Sequence, residues 1–326
     1  LNRLFPQPEA SLLSGILLGM EDDIPPNLED AFRDTGTAHI IAISGFNIAI
    51  LAALFSSITS RFIPDRWLSL LASILGVAFY TLLVGAGASV VRAAIMGSLS
   101  LLGTQIGRRQ AGLKALVFTG AVMCAFNPGL LWDASFQLSF SATLGLVWFG
   151  VPLEDFSRQW LAARLPSNTA RRIAGPLNEY CLLTLAAQVT TLPVILYHFQ
   201  RLSLSSLLAN PLVLPPQPLV MILGGVSVLA GIVLYPLGKA LSLLVWPLLA
   251  YTIRMTEALA GLRGSAIVVG QANPAWLVIY YLILFLLARN LVFLWRQRAR
   301  LQPVLGLALL SLGSLLAWRG FFEAPD

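Results

Sequence analysis

The sequence predicts an all-α, polytopic membrane helix bundle of about ten spans with one re-entrant or broken element and short interfacial helices, and three observations predict it. Hydrophobic residues make up 57% of the 326-residue chain, charged residues only 11%, and the mean hydropathy is +0.79, whereas a soluble domain carries roughly 25% charged residues. Apolar stretches long enough to cross a bilayer, about 20 residues each, recur from end to end. The basic residues between them gather in alternate loops.

The spans fall near 37–58, 67–85, 88–104, 111–126, 135–151, 177–199, 217–234, 241–262, 275–294 and 303–319. Two further stretches are too short to cross. The run Ser11 to Met20 suits an interface or the inside of the bundle. Residues 205–216 contain Asn210-Pro211 and Pro215-Pro216, with Pro218 just beyond. A continuous helix would lose backbone hydrogen bonds there, so this is the broken or re-entrant element. The chain divides into an outward-facing amphipathic and acidic lead-in, 1–36, and a transmembrane domain, 37–326. It starts without Met or a signal-peptide pattern and reads as a piece of something longer.

Charge orients the bundle. Arg61 and Arg66, then Arg108, Arg109 and Lys114, then Arg158, Arg164, Arg171 and Arg172, then Lys239, then Arg296, Arg298 and Arg300 follow alternate spans. The positive-inside rule makes that side cytoplasmic. Both termini then face outward, as does the acidic run Glu21, Asp22, Asp23, Glu29, Asp30 and Asp34. The net charge of +6 is mostly this topological surplus, so composition alone does not argue for nucleic acid.

Polar groups inside spans carry more information, because each costs roughly 2.5 to 3.5 kcal/mol in hydrocarbon unless protein or water satisfies it. The first span holds His39, Ser44, Gly45 and Asn47; Ser44-Gly45 reads as a helix break, since the Gly-x-Ser-x-Gly nucleophile pattern is absent. Asp133, Gln137 and Ser141 form one helix stripe, and Thr184, Gln188 and Thr191 another. Each stripe fits interhelical hydrogen bonding as well as it fits a hydrated lining. Arg92, near the outer end of the third span, must snorkel, pair with an anion or face water. Arg254 and Glu257, three apart, are expected to neutralise each other. His39 and His198 have no carboxylate or thiol partners at metal-ligand spacing, and Cys124 and Cys181 sit in apolar runs as inert thiols, so no metal, cofactor or catalytic residue is expected.

Thr35-Gly-Thr-Ala-His-Ile-Ile-Ala-Ile-Ser-Gly45, Ser89-Val-Val-Arg-Ala-Ala94, Asn127-Pro-Gly with Ser135-Phe-Gln-Leu-Ser139, and Ser205-Ser-Leu-Leu-Ala-Asn-Pro211 resemble, in order and spacing, the signatures of the ComEC-type competence family. The resemblance implies a membrane channel that passes one strand of incoming DNA into the cytoplasm during natural transformation, in the bacterial inner membrane. It also implies partners: single-stranded DNA, membrane lipid, external nuclease and DNA-binding domains in the full-length protein, and a cytoplasmic motor. This chain itself is then not an enzyme. On that reading the DNA pathway is lined by Arg92, His39, Ser44, Gly45, Asn47, Gln137, Ser141, Gln188, Thr191 and Asn210. Phe46, Phe136, Phe140 and Tyr197 would stack bases. A small-molecule or lipid-linked solute transporter is the alternative; it too would have broken helices and central polar groups, with inverted repeats that are not evident here.

Overall fold

The computed structural model describes residues 1–20, 23–41, 43, 45–107, 112–262, 265–268 and 276–286, and leaves out the side chains of Phe46, Ser167, Ala266 and Val268. The described chain is almost entirely helical and forms two compact units, Leu1–Phe136 with Leu212–Ser265, and Gln137–Pro211 with the segment from Ala266 onward.

In the first unit, α3 (Gly45–Phe62), α4 (Arg66–Leu83) and α5 (Ala88–Gln105) pack together, and α6 (Gly112–Phe126) joins α5. Asp65 starts α4 by accepting from the backbone N–H groups of Trp67 and Leu68 at 3.0 and 2.7 Å, as an N-cap does. The buried stripe of α4 is small and polar: Ser69, Ser73, Val77 and Thr81. Ser73 and Ser69 meet Thr59 of α3 at 2.7 and 3.0 Å, while Leu68, Leu71, Leu75, Phe79 and Leu82 stand exposed. That inversion is the pattern of a helix whose solvent is lipid, where small residues draw helices together.

The other half of this unit is built around α1 (Glu9–Leu18). Its residues from Glu9 to Ile16 are all buried, and with α2 (Pro26–Asp34) it packs against α11 (Gln217–Val233) and α12 (Tyr235–Ala260). Leu4, Phe5, Leu12, Leu13, Leu28 and Phe32 share one core with Val220, Val245, Leu249 and Ile253. α1 is therefore enclosed in this unit, the second of the two places its length suits, and Leu4, Phe5, Leu28 and Phe32 join its core. α11 and α12 meet so closely that a Cβ on Gly238 would lie 2.3 Å from Gly231 Cα. At this end of the unit Lys239 Nζ donates to Leu4 O at 2.8 Å, Ser242 Oγ to the same oxygen at 3.1 Å, and Tyr235 OH to Arg3 O at 3.1 Å. Counting charges set the chain start and the Lys239 turn on opposite sides; these bonds put them at one end.

The second unit is a long hairpin. α7 (Ala134–Ala162) runs one way; α8 (Ser167–Pro176), a π-helical turn (Leu177–Leu182) and α9 (Leu183–Phe199) return. A Cβ on Gly145 would lie 2.3 Å from both Ala186 O and Thr190 Oγ1, and one on Gly150 would lie 3.3 Å from Leu183. Phe149, Leu153, Ala186 and Val189 pack there with Leu284, from a further helix, α13 (Trp276–Leu286). Pro193 lies inside α9 and has no N–H to give to Val189 O. Tyr280 OH of α13 takes that place at 2.8 Å, and Tyr281 OH donates to Thr190 O at 2.7 Å. Strand β1 (Arg201–Ser203) pairs antiparallel with β2 (Ala266–Val268).

Among the described residues, four helical segments are long and apolar enough to cross a membrane: Arg66–Leu83, Ala134–Ala162, Asn168–Phe199 and Tyr235–Ala260. A fifth arises if α10 (Ser206–Val213) and α11, bent by 45° across their break, count as one. The break falls in the proline-rich stretch, as expected, although residues 206–213 are helical despite Pro211. The first expected span is shortened, because residues 38–40 form a 3-10 turn and helix begins only at Gly45. The expected span 303–319 lies outside the described residues. Arg254 and Glu257 both stand exposed on α12, and the ion pairs among the described residues are Glu29–Arg33 and Glu154–Arg158. Arg before Glu is the weaker helical order, and the expected Arg254–Glu257 pair does not form.

Candidate functional site

Thr35-Gly36-Thr37 ends α2. Gly36 takes a positive φ of 67°, Thr37 N–H returns to Phe32 O at 2.9 Å, and the hydroxyls of Thr35 and Thr37 bond each other at 2.7 Å in full burial. This left-handed cap turns the chain into the 3-10 turn that carries His39. α1 ends nearby, leaving its last carbonyls without helical partners. Asn47 Nδ2 of α3 donates to Ile16 O at 3.2 Å, and Tyr80 OH of α4 to Leu17 O at 2.7 Å.

The start of α3 then meets α5. A Cβ on Gly45 would lie 3.0 Å from Arg92 Nη2 and 3.6 Å from Ala93 Cβ, and Ser89 Oγ reaches Ile43 O at 3.4 Å. Arg92 is only 8% exposed. Two of the sequence signatures, Ser-Gly and Ser-Val-x-Arg-Ala, thus come together although 47 residues separate Gly45 from Arg92 (92 − 45). Helix α5 starts at Gly87 with no side-chain cap, and α3 starts at Gly45 itself. Two helix N-termini, whose dipole ends are positive, and a guanidinium share one small region, an arrangement that attracts an anion.

Apart from Asp133, the remaining polar residues belong to the second unit, and most are tied pairwise. Gln137 Oε1 bonds His198 Nε2 at 2.8 Å, Ser141 Oγ meets Tyr281 OH at 3.2 Å, and Gln188 Nε2 donates to Ser206 Oγ at 2.7 Å. Thr184 and Thr191 bond carbonyls of their own helix, Tyr180 O and Ala187 O, each at 3.0 Å. Asp133 is the cap of α7, accepting from Phe136 N–H at 2.7 Å. Asn210 is buried, and its Oδ1, like Gln188 Oε1, has no hydrogen-bond partner.

The sequence-derived set therefore splits. Arg92, Gly45 and Asn47 converge in the first unit, with His39 on the turn beside them in sequence; Gln137, Ser141, Gln188, Thr191 and Asn210 lie in the second. Ser44 lies outside the described residues, as does the side chain of Phe46. Phe136 is buried, Phe140 half-buried, and Tyr197 is 44% exposed and edge-on to His198. Sequence reasoning missed Tyr80, Tyr280, Tyr281 and Ser206; the available signal was a hydroxyl-bearing ring in an apolar run, which needs an acceptor when buried. Among the described residues no group of three His, Cys, Asp or Glu could hold a metal ion.

A family model described as Competence protein matches residues 16–295, which include every motif above. The chain belongs to the competence protein family. This competence protein is 26% identical to ComE operon protein 3 of Bacillus subtilis (strain 168) over 290 residues, 88% of this chain and 35% of that one. It is 30% identical to the uncharacterized protein YcaI of Escherichia coli (strain K12) over 227 residues, 65% of this chain and 28% of that one. It is 27% identical to competence protein ComA of Neisseria gonorrhoeae over 146 residues, 42% of this chain and 21% of that one. It thus spans about a third or less of the length of these relatives. No solved structure matches it. With several helices long and apolar enough to cross a bilayer, this competence protein is a membrane protein.

Proposed function

We propose that this competence protein is a channel of the bacterial inner membrane that passes single-stranded DNA into the cytoplasm during natural transformation. The observation that carries the reading is the junction of Gly45 with the buried Arg92 at two helix starts. A strand of phosphates needs fixed positive charge inside the bilayer, and guanidinium is the side chain that stays charged there. The chain conducts and does not cleave. Nuclease and DNA-binding domains elsewhere in the full-length protein supply the strand, and a cytoplasmic motor draws it inward. In the ten-span topology the basic turns lie in the cytoplasm. Residues 1–5 lie with them, since Leu4 is bonded to Lys239, and the C-terminus lies outside.

The test is transformation frequency in cells carrying Arg92→Ala and Arg92→Lys, with membrane level measured by immunoblot. The Ala variant is expected to lower transformation at least tenfold, about the effect of 1.4 kcal/mol, at normal protein level, and Lys to restore it in part. Unchanged transformation by Arg92→Ala overturns the role of this site. Oligonucleotide binding that ignores salt would favour a small neutral solute instead, because phosphate contacts weaken steeply as salt rises.

A further inference from the structure

The hairpin of the second unit outruns the bilayer. α7 has 29 residues and the run Asn168–Phe199 has 32, about 43 and 48 Å at about 1.5 Å per residue, against a hydrocarbon core of about 30 Å. Charges mark where each helix leaves the lipid: residues 134–153 carry none before Glu154, and residues 180–197 carry none after Glu179. Packing sets these limits level. Gly145 faces Ala186 and Thr190, Gly150 faces Leu183, and Leu161 packs with Ala170 and Ala174, so the pairing steps evenly toward the turn at 163–166. About 13 Å of α7 and about 18 Å of the returning helix project, more than the roughly 5 to 8 Å of one headgroup layer.

The projecting part holds Glu154, Asp155 and Glu179 only where it leaves the lipid, and beyond them it carries one sign of charge. Residues 156–176 hold Arg158, Arg164, Arg171 and Arg172 and no carboxylate, and all four arginines are exposed. Arg158 is engaged by Glu154. Arg164 lies over the Trp160 ring, 4.1 Å from its centroid, and Trp160 is 43% exposed. The core between the two helices is made by Leu161, Ala170 and Ala174, so the arginines and the ring are not needed to hold the stalk together. A surface that stands clear of the headgroups and combines guanidinium groups with an open indole matches a flexible polyanion with aromatic bases.

We propose that this stalk binds single-stranded DNA in the cytoplasm as it leaves the channel, Arg164, Arg171 and Arg172 contacting phosphates and Trp160 stacking a base. The proposal rests on the inward-channel reading above. It is tested with the chain in phosphatidylcholine nanodiscs and fluorescein-labelled oligothymidylate, followed by anisotropy. The triple Arg164→Gln, Arg171→Gln, Arg172→Gln variant is expected to bind about tenfold more weakly at low salt, and the slope of log Kd against log salt to fall by about 2, three contacts at about 0.7 each. The triple Lys variant keeps most of the affinity. Trp160→Leu weakens binding with the slope unchanged. Unaltered binding by the triple Gln variant overturns the stalk; if Arg92→Ala loses binding in the same assay, the channel reading survives without it. A wild-type chain that binds no oligonucleotide removes both. If the triple Gln variant loses only its retention by phosphatidylglycerol-containing nanodiscs, the arginines serve lipid and the proposal fails.

Discussion

The α1–α3–α5 region and the α7–α9 hairpin solve the same problem, polar groups among apolar helices, in opposite ways. In the hairpin, polar side chains within the apolar stretch join helix to helix, as Gln137 with His198 or Ser141 with Tyr281, and such bonds hold membrane helices together. In the first region the backbone stops and restarts, Asn47 and Tyr80 are spent on the carbonyls that α1 leaves open, and a buried guanidinium stands at the restart. Most polar side chains of the hairpin bond a neighbour, with Gln188 Oε1 and Asn210 Oδ1 as exceptions. Arg92 differs in carrying a charge into a buried position, at a desolvation cost that an apolar residue of its size would not have.

That contrast is breakable by substitution. The largest loss of stability is expected for Gly145→Val, because its Cβ meets backbone at 2.3 Å and overpacking costs about 3 kcal/mol. The free thiols report it by unit: in detergent, Cys181 of the hairpin should react faster with a thiol dye, while Cys124 of the first unit keeps its rate. Tyr280→Phe comes next at about 1 to 3 kcal/mol, since it leaves Val189 O buried and unpaired beside Pro193, read as a lower Tm. Gln137→Leu removes one interhelical bond and should cost about 1 kcal/mol by the same measurement. The smallest is Thr191→Val, within about 0.5 kcal/mol, because its hydroxyl bonds only its own helix. A loss of transformation by Thr191→Val without a change in Tm would give Thr191 a part in the pathway beyond packing. On the other side, Gly45→Val should lower transformation with little change in Tm, since the atom it displaces is the mobile tip of Arg92.

Helix existence was legible because hydropathy is a local property: α4, α5, α6 and the break before Gln217 fall where the apolar runs and prolines put them. Burial was less so. The run from Glu9 to Leu18 is too short to cross, and nothing in ten residues distinguishes an interfacial helix from one enclosed by α11 and α12. The polar stripes were read correctly as faces, yet period alone cannot separate Thr191, bonded to its own helix, from Gln188, which reaches Ser206. The meeting of Gly45 and Arg92 depends on tertiary approach and was visible only as two motifs in order. Charge counting separated the chain start from Lys239 because it cannot see a backbone oxygen, Leu4 O, that binds the two at one end.

The π turn at Leu177–Leu182 lodges one surplus residue where the returning helix enters the bilayer. One residue is worth about 100° of rotation, so the azimuth of Arg171 and Arg172 is set there rather than by their own sequence. Deleting a single uncharged residue from the turn, such as Cys181, would swing both guanidinium groups to another quadrant while leaving the net charge as it is.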